Sequence, residues 1–441
     1  MRIDPVPPRS ACGAPPRGGQ RWWTRKAGPT ALAWGAFAAL GMVGVAHGET
    51  SPWYVAASQS YSYESNLLRL GDGQPLPTGY SRNDEILSTA LLAGLDQPIG
   101  RQRLSGNLAV RQNRYGSNTR FDNTSYNGAL SLDWSTIERV SGSLSASANQ
   151  ALQSFANDLF SPELANNLES SEALNGSVAV GLVTQYSLVA SGGHRRVRNS
   201  LVDLRSREFY QDNAEVGMRW APSSTATFGV SLGSTRGRYP KFGIQANGDY
   251  QADRFKRDDV GLNATLRPSG ASTVDFRLAN GTTTYDLNQR RNFSGVTGSL
   301  AWSWEATGKL RLSLQFSRDT GQDSYATRTA NTPTTADYSR LANQARLQLG
   351  YELTAKVGIT VGANYVGRDL VRTINDPALA GGANAAGTDR TRQVSVGARW
   401  SPRRYGTLGC DVTTENRSGQ GELTTNMGDK SLTCFGQLTL Q

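Results

Sequence analysis

The sequence predicts an all-β fold, a transmembrane antiparallel up-and-down β-barrel of about 18 strands with short periplasmic turns and longer extracellular loops. Three observations predict it. Polar and apolar residues alternate in segment after segment up to the last residue, nearly every second connection is very short, and tryptophan is concentrated at one end of alternate segments. A side-chain period of two residues is that of a β-strand.

The segment 101–115, RQRLSGNLAVRQNRY, illustrates the alternation. Leu108 and Val110 fall on one face of the strand, whereas Arg103 and Arg111 fall on the other. Arginine suits water better than a protein core, but the apolar face must still be buried. A bilayer around a closed, water-filled barrel meets both demands.

Eighteen segments of this kind follow one another. The candidate strands are 52–63, 84–97, 101–115, 121–135, 138–152, 170–183, 185–198, 209–221, 224–237, 251–267, 271–283, 292–305, 308–320, 337–352, 355–368, 387–401, 404–416 and 429–441. The tight connections, such as QPIGR and RPSG, contain residues that suit turns. The alternate connections are longer, as at 64–82, 153–169, 238–250, 321–336, 369–386 and 417–428. This asymmetry is typical of outer-membrane barrels, and an even strand number places both termini on the short-turn side.

The aromatic residues give an independent indication of a membrane. Five tryptophans and one tyrosine stand just before short turns, on the apolar face of their strands. An indole ring prefers the headgroup level of a bilayer, and a soluble sandwich has no reason to collect tryptophan at one end of alternate strands. We predict a periplasmic aromatic girdle made of Trp134, Trp220, Trp302, Trp304, Trp400 and Tyr351.

The opposite face is polar or small throughout. Eighteen strands about 4.8 Å apart and tilted about 40° form a ring roughly 35 Å across, which side chains alone cannot fill. We therefore expect a water-filled lumen or a plug made by the loops. The predicted lumen-lining residues are Arg103, Arg111, Arg195, Arg219, Arg277, Arg311, Arg346, Arg399, Glu215 and Asp275.

The first residues form a separate segment. A long apolar stretch at 31–46 follows basic residues and precedes small ones, which predicts a signal peptide at 1–48 and a barrel at 49–441. A retained helical anchor is the alternative, but no stop-transfer pattern follows. Half of the net charge of +10 comes from residues 1–48. Residues 49–441 are therefore only mildly basic and do not indicate a nucleic-acid partner.

Cysteine and histidine are sparse. Cys410 and Cys434 lie on the last two strands, on the lipid face, either as a cross-strand disulfide or as two small apolar side chains. His194 is the one histidine after residue 48, and without an obvious serine motif it indicates a surface residue rather than a catalytic base. The sequence therefore indicates no enzymatic activity, and it offers no zinc site and no cofactor motif.

Three loop segments contain candidate functional residues. The loop 153–169, rich in asparagine and leucine, either folds into the mouth as a constriction or is a mobile surface loop, and we favour the second. The segments 71–75 (GDGQP) and 246–249 (ANGD) contain calcium-type ligands, but their spacing fits no EF-hand loop.

One run of sequence suggests a family. The segment 95–134, LDQPIGRQRLSGNLAVRQNRYGSNTRFDNTSYNGALSLDW, resembles the EpsL-type outer-membrane proteins of exopolysaccharide operons, which belong to a group of β-barrel porins. The similarity extends through SYSYESNLLRL, EVGMRW, GRYP, FSGVTGSLAWSWEATGKLRLSL and the closing QLTLQ, over nearly all of 50–441. The resemblance implies an export pore for a polysaccharide and carries no catalytic residues. The final residue is Gln441, where an aromatic residue is common in outer-membrane proteins.

The strand pattern predicts an outer-membrane barrel of a Gram-negative bacterium, and the resemblance implies that its cargo is an exopolysaccharide. Lumen arginines would attract an anionic polymer, while asparagine, serine and threonine would hydrogen-bond its hydroxyls. The expected partners are outer-membrane lipid, the polysaccharide and periplasmic export or synthase proteins. A general diffusion porin for small solutes is the alternative. A barrel enzyme is disfavoured by the missing histidines, and a β-solenoid by the lack of a sequence repeat.

Overall fold

The strands of the computed structural model form one closed antiparallel sheet. It describes residues 51–137, 139–153, 166–183, 185–202, 204–244, 249–287, 289, 292–329, 332–375, 383–421 and 423–441. The strands are β1 (Trp53–Glu64), β2 (Asp84–Ile99), β3 (Gln102–Tyr115), β4 (Asn123–Ser135), β5 (Val140–Leu152), β6 (Leu168–Val183), β7 (Tyr186–Asn199), β8 (Phe209–Trp220), β9 (Ala226–Ile244), β10 (Tyr250–Ser269), β11 (Ser272–Tyr285), β12 (Phe293–Glu305), β13 (Leu310–Thr329), β14 (Thr332–Glu352), β15 (Val357–Asn375), β16 (Ala383–Arg403), β17 (Gly406–Gly421) and β18 (Met427–Leu440). The helical content of the described residues is two short 3₁₀ turns, Thr119–Phe121 and Arg205–Arg207. No helix among the described residues is long and apolar enough to cross a membrane.

The barrel closes where the first strand meets the last. β1 pairs with β2 on one side and with β18 on the other, from Val55 opposite Leu440 to Glu64 opposite Ser431. Closure gives every strand two neighbours, so no strand stands at an open edge of the sheet in the membrane-spanning part. The predicted antiparallel barrel of 18 strands is confirmed. The predicted signal peptide, 1–48, lies outside the described residues.

The strand register sorts apolar side chains onto the outer face. Leu91 and Leu108 are 64% and 50% exposed there, and small residues such as Gly128 flank them. Apolar exposure on this scale is rare on a soluble protein but fits hydrocarbon. We call these outward rows the apolar belt. Its members include Leu91, Leu108, Leu130, Leu144, Leu188, Val216, Val230, Leu232, Val260, Leu262, Leu278, Val296, Val394, Val396, Leu408 and Val412.

The eight connections that follow the even-numbered strands β2 to β16 have two to five residues each and define the short-turn end. The alternate connections, which have two to 19 residues, define the long-loop end. In the turn between β2 and β3, Gly100 has a φ of +61°, a left-handed conformation that glycine adopts without steric cost. The six residues predicted for the girdle lie on the outer face near the short-turn end. Trp220 stacks on Tyr186 with 6.5 Å between ring centroids, and Trp302 on Trp304 with 5.7 Å. Their contact with lipid headgroups stays a prediction.

Several strands continue beyond their predicted ends. β9 runs to Ile244, and β13 and β14 form a hairpin up to Thr329 and Thr332, so much of the loops predicted at 238–250, 321–336 and 369–386 is strand. Above the bilayer, both faces of a strand meet water. The backbone ladder therefore continues where the alternation of side chains that would reveal it has ended.

Cys410 and Cys434 stand directly opposite each other on β17 and β18, with 4.1 Å between their Cα atoms. They form a disulfide on the outer face of the barrel, next to the closing strands. Of the two interpretations that the sequence leaves open, the structure has the cross-strand disulfide.

Candidate functional site

The ten residues predicted to line the lumen all lie on the inner face, because they alternate with the apolar belt along their strands. They do not form one cluster. The strands distribute them from β3 to β16 and from the short-turn end to the long-loop end. The charged side chains are thus spread around the inner wall and are not gathered at one site.

Two of the arginines at the short-turn end have carboxylate partners. Arg103 donates from Nε to Oδ1 of Asp96 at 2.6 Å. Arg311 lies 3.8 Å from Glu305 and 3.7 Å from Glu352. These pairs link neighbouring strands at the rim, where exposed ion pairs contribute little to stability.

The other two arginines at this end have no such partner. Arg219 donates from Nε to the hydroxyl of Ser187 at 2.9 Å. Arg399 stands between Gly358 and Gly409, its register partners. Among the described residues, neither Arg219 nor Arg399 has a carboxylate within ion-pair distance. Arg219 therefore presents uncompensated positive charge to the lumen, whereas the charge of Arg399 is partly offset at longer range by Asp411 on β17.

Midway along the wall, Arg277 on β11 reaches Glu215 on β8, with 3.7 Å between Nη2 and Oε2. The inner positions between them include Ser231 and Gly261, whose small size leaves room for the long arginine side chain. Asp275 lies lower on β11 and accepts a hydrogen bond from a threonine of β10 at 2.7 Å. This part of the wall carries both signs of charge in close pairs.

The remaining three arginines lie higher on the wall or on the far side. Arg111 stands opposite Ser125, and Arg346 is flanked by glutamine and asparagine in register. Arg195 lies over the ring of Phe209, with 5.5 Å between its guanidinium carbon and the ring centroid. Such contacts keep the charge while ordering the side chain.

The connection between β1 and β2, residues 65–83, folds inward at the long-loop end. We call it the mouth loop. Its Leu67, Leu68 and Leu70 pack against Tyr115 on the inner face of β3 and against Phe121. Leu68 is 1% and Phe121 0% exposed, so this is a true core inside the barrel mouth. Burial of each large apolar side chain stabilises this position of the loop by roughly 2 kcal/mol.

Polar contacts fix the same loop to β17 and β18. The side chain of Asn66 donates to the carbonyls of Leu70 and Gly428 at 2.9 and 3.0 Å. Arg69 has a left-handed φ of 53° and places Nη1 2.8 Å from Glu415. Burial by itself would lower the pKa of Arg69, but the negative charge of Glu415 and other nearby carboxylates raises it overall.

A second inward segment lies beside the mouth loop. Leu423, in the connection between β17 and β18, is fully buried, and its Cβ would lie 3.1 Å from a Cβ added to Gly387. A side chain at Gly71 would meet Thr425 at 2.9 Å, so the two inward segments touch through a glycine. The two connections therefore form one structure that narrows the mouth.

The opposite wall carries a row of aromatic rings. Phe209, Tyr239, Phe255 and Tyr285 lie on the inner face of β8 to β11, with successive centroids 5.5, 5.9 and 5.3 Å apart. Phe255 lies where Gly237 has no side chain, and an added Cβ there would sit 2.2 Å from the ring. Since β10 is diametrically opposite β1, the mouth is lined by this row on one side and the mouth loop on the other.

The sequence did not predict which loop narrows the mouth. The segment considered for that role was 153–169, of which 154–165 lie outside the described residues. The C-terminal end of this segment is anchored, because Asn167 is buried and its side-chain amide donates to Oδ1 of Asn199 at 2.9 Å. The sequence does carry one indication for the mouth loop. NLLRL (66–70) contains three leucines, although the segment is predicted to be a loop in water.

Of the other segments singled out in the sequence, 71–75 belongs to the mouth loop, and 246–248 lie outside the described residues. His194 lies on the outer face, with 2.7 Å between Nδ1 and Oδ1 of Asp212. In 71–75, the backbone N–H of Gly71 donates to the side chain of Gln74 at 2.7 Å. The part of the chain that the structure describes holds no group of three metal-ligating side chains.

The two ends of the barrel therefore differ. At the long-loop end, the mouth loop and the segment around Leu423 pack inside the barrel, whereas the turns at the opposite end have at most five residues. The lumen is wide at the short-turn end and narrowed at the long-loop end. A polar wall of this width suits passage of a hydrated solute or polymer better than tight binding of a small molecule.

No protein-family model matches the chain. No curated protein matches it either. Among solved structures, it is similar to a mutant of the ferric enterobactin receptor PfeA from Pseudomonas aeruginosa, with 9% identity and a TM-score of 0.41 over 88% of this chain and 80% of that one. It is similar to OpdK from Pseudomonas aeruginosa, with 10% identity and a TM-score of 0.42 over 88% and 99%. It is also similar to OccAB4 from Acinetobacter baumannii, with 10% identity and a TM-score of 0.40 over 89% of this chain and 99% of that one.

A closed barrel with an even strand number, an apolar belt and unequal connections is the architecture of bacterial outer-membrane proteins. The protein is an outer-membrane β-barrel. Its short-turn end is periplasmic and its long-loop end extracellular. Its wall contacts membrane lipid, and its fold supports a role as a pore or channel.

Proposed function

We propose that this protein is an outer-membrane pore through which an exopolysaccharide passes from the periplasm to the cell surface. The observation that carries the proposal is the polar inner wall, where Arg219 and Arg399 face the lumen with no carboxylate at ion-pair distance among the described residues. Periplasmic export or synthase proteins would deliver the polymer to the wide end of the barrel.

The unpaired arginines supply the attraction. A guanidinium is always charged and matches carboxylate or phosphate groups with two parallel donors. Arg219 and Arg399 lie at the periplasmic end, where an exported polymer would first meet the wall. An acidic polysaccharide is therefore favoured over a neutral one.

The hydroxyl and amide side chains supply exchangeable contacts. On the inner face, Ser143 and Ser177 are hydrogen-bonded at 2.8 Å, and Gln344 donates to Asn364 at 2.8 Å. Such groups can turn from one another to a sugar hydroxyl with little change in free energy, because each net hydrogen bond is worth only about 1 kcal/mol. A wall of this kind lets a hydrated chain slide.

The aromatic row offers a third kind of contact near the exit. Phe209 and Phe255 are half-buried on the inner wall, and Arg195 lies beside them. Ring faces can pack against the apolar C–H faces of sugars, and a cation beside them suits an acidic sugar. The resemblance of 95–134 to EpsL-type proteins supports the choice of an exopolysaccharide among such polymers.

A general diffusion porin for small solutes is the second candidate. It is favoured by the close pairing of charges in the middle of the wall, where Arg277 meets Glu215 at 3.7 Å. Paired charges weaken the net field that would select an anion. The two candidates differ in whether a polymer occupies the lumen.

Single-channel conductance in a planar bilayer tests the proposal, with the producing strain's purified exopolysaccharide added to the periplasmic side. We expect stable conductance that the polymer blocks, and a neutral dextran of equal length as control should block less. Conductance that is indifferent to the acidic polymer would favour the diffusion porin. A deletion strain that still secretes its exopolysaccharide in full would contradict export.

A further inference from the structure

The outer face of the barrel carries a group of four cations on one hairpin. Arg236 and Arg238 lie on β9, and Arg254 and Lys256 lie on β10. All four alternate with the inner-face residues of their strands, so they point away from the lumen. We call them the basic patch.

The strand register places like charges directly opposite each other. Arg236 is the partner of Lys256, and Arg238 is the partner of Arg254. Like charges opposite each other destabilise a sheet, and here two such pairs adjoin on the same strands. An anion between them would turn this repulsion into attraction.

Two carboxylates, Asp258 and Asp212, lie near Arg236 and offset part of its charge, but neither forms an ion pair with it. Asp258 lies 2.6 Å from Lys256, and Asp212, the β8 partner of Arg236, lies 2.7 Å from His194 instead. Among the described residues, no carboxylate is within ion-pair distance of Arg236, Arg238 or Arg254.

Arg238 is also short of hydrogen-bond partners. Its Nη1 donates to the hydroxyl of Tyr210 at 3.4 Å, and its Nε is buried without a partner within the described part of the chain. A buried donor without a partner is costly. The guanidinium nitrogens that remain accessible, not the buried Nε, are the ones that an external phosphate would contact.

The height of the patch identifies what lies beside it. Along β8, Asp212 and Tyr210 are eight and ten residues above Trp220 at the periplasmic end, or about 20 and 25 Å along the barrel axis. The apolar band of an outer-membrane barrel is about 25 Å tall. The basic patch, level with Asp212 and Tyr210 in register, therefore lies where the apolar band ends and outer-leaflet headgroups begin.

Other outward arginines at the extracellular end lack this arrangement. Arg390 faces Gly367 and Ser418, and Arg392 faces Tyr365 and Asn416. They carry the same charge at a comparable position but stand opposite neutral residues. The opposed cations are therefore a local feature of β9 and β10, not of the whole rim.

We propose that the basic patch binds the phosphate groups of a phosphorylated glycolipid of the outer leaflet. A phosphate offers several acceptor oxygens to the guanidinium forks, and one bound between β9 and β10 would contact Arg238 and Arg254 together. The pore's own cargo is a poorer candidate, because the patch faces away from the lumen. Binding would fix one side of the barrel to the surrounding lipid.

Native mass spectrometry tests the proposal on protein purified from outer membranes and exchanged into detergent. Lipid A with both phosphates and its fully dephosphorylated form are titrated separately. We expect the phosphorylated lipid to bind about tenfold more tightly or better. Equal affinity for the two lipids would overturn the proposal without need of any variant.

A matched pair of variants locates the site. R236S/R254S should weaken binding of phosphorylated lipid A about tenfold, whereas R390S/R392S removes the same charge and should change it less than about twofold. Folding of each is checked by the shift in electrophoretic mobility on heating. Equal losses in both variants would mean unspecific attraction and would overturn the assigned site.

Discussion

Arg69 of the mouth loop lies 2.8 Å from Glu415 on β17, across the seam where β1 closes on β18. The contact joins the first extracellular connection to the last two strands. Its two side chains are 16% and 17% exposed, so it is largely shielded from water. The inward position of the mouth loop thus depends on a pair that is distant in sequence.

Loss of this pair should open the mouth. In R69A, Glu415 loses its nearest cation, and breaking a pair so far from water costs about 3 kcal/mol. The mouth loop should leave its site part of the time, and single-channel recordings should show a larger and noisier conductance. R114A, which removes an outward arginine of β3, is the control. A conductance equal to that of the unaltered protein would mean that the leucine cluster alone holds the loop.

The disulfide should stabilise the barrel against unfolding. Cys410 and Cys434 enclose a loop of sequence separation 24, for which the chain-entropy model gives about 3 kcal/mol. Reductant should therefore lower the urea midpoint of the unaltered protein. C410S/C434S should already have the lower midpoint and should not respond to reductant. A response of the double variant would place the effect elsewhere.

Removal of unpaired lumen charge should change ion selectivity. R219S/R399S deletes two arginines without a carboxylate at ion-pair distance in the described structure, so the pore should prefer anions less strongly. Reversal potentials in a salt gradient measure this preference. R114S/R318S takes the same charge from the outer face and should leave the reversal potential unchanged. A similar shift in both variants would argue against direct action in the lumen.

One glycine should not tolerate a side chain. A Cβ at Gly142 would lie 2.4 Å from the backbone oxygen of Ser177 on β6 and 2.5 Å from the ring of Trp134, its partner across β4 and β5. G142A should lower stability by about 1–3 kcal/mol, because the indole and the β6 backbone must both shift. G350A is the matched control, since nothing lies within 4 Å of the added carbon. Thermal unfolding that is the same in both variants would show that the indole and the β6 backbone adjust without cost.

The sequence predicts the membrane-spanning part of the fold well. For β3 the predicted segment is 101–115 and the observed strand is Gln102–Tyr115. Within the bilayer, lipid on one side and water on the other impose alternation on every strand, so the pattern has a single cause. Above the bilayer that cause is absent, and the prediction for β13 ended at 320 while the strand runs to Thr329.

The site is predictable only in part. Parity assigns Arg277 and Glu215 to the inner face, but their contact joins β11 to β8 across two other strands. Which residues meet depends on strand stagger and on small residues between them, and neither can be derived from alternation. The inward mouth loop was missed for a related reason: leucines in a connection show that it packs somewhere, not where.

The unequal strands shape the outlet. β1 has 12 residues and β14 has 21, a difference that corresponds to about 23 Å of wall. Part of it lies at the short-turn end, where β2 runs four residues past Leu95, the partner of Trp53. The rest lies at the extracellular end, so the strand wall has its high side at β13 to β16, with 19 to 21 residues per strand, and its low side at β1 to β5, with 12 to 16.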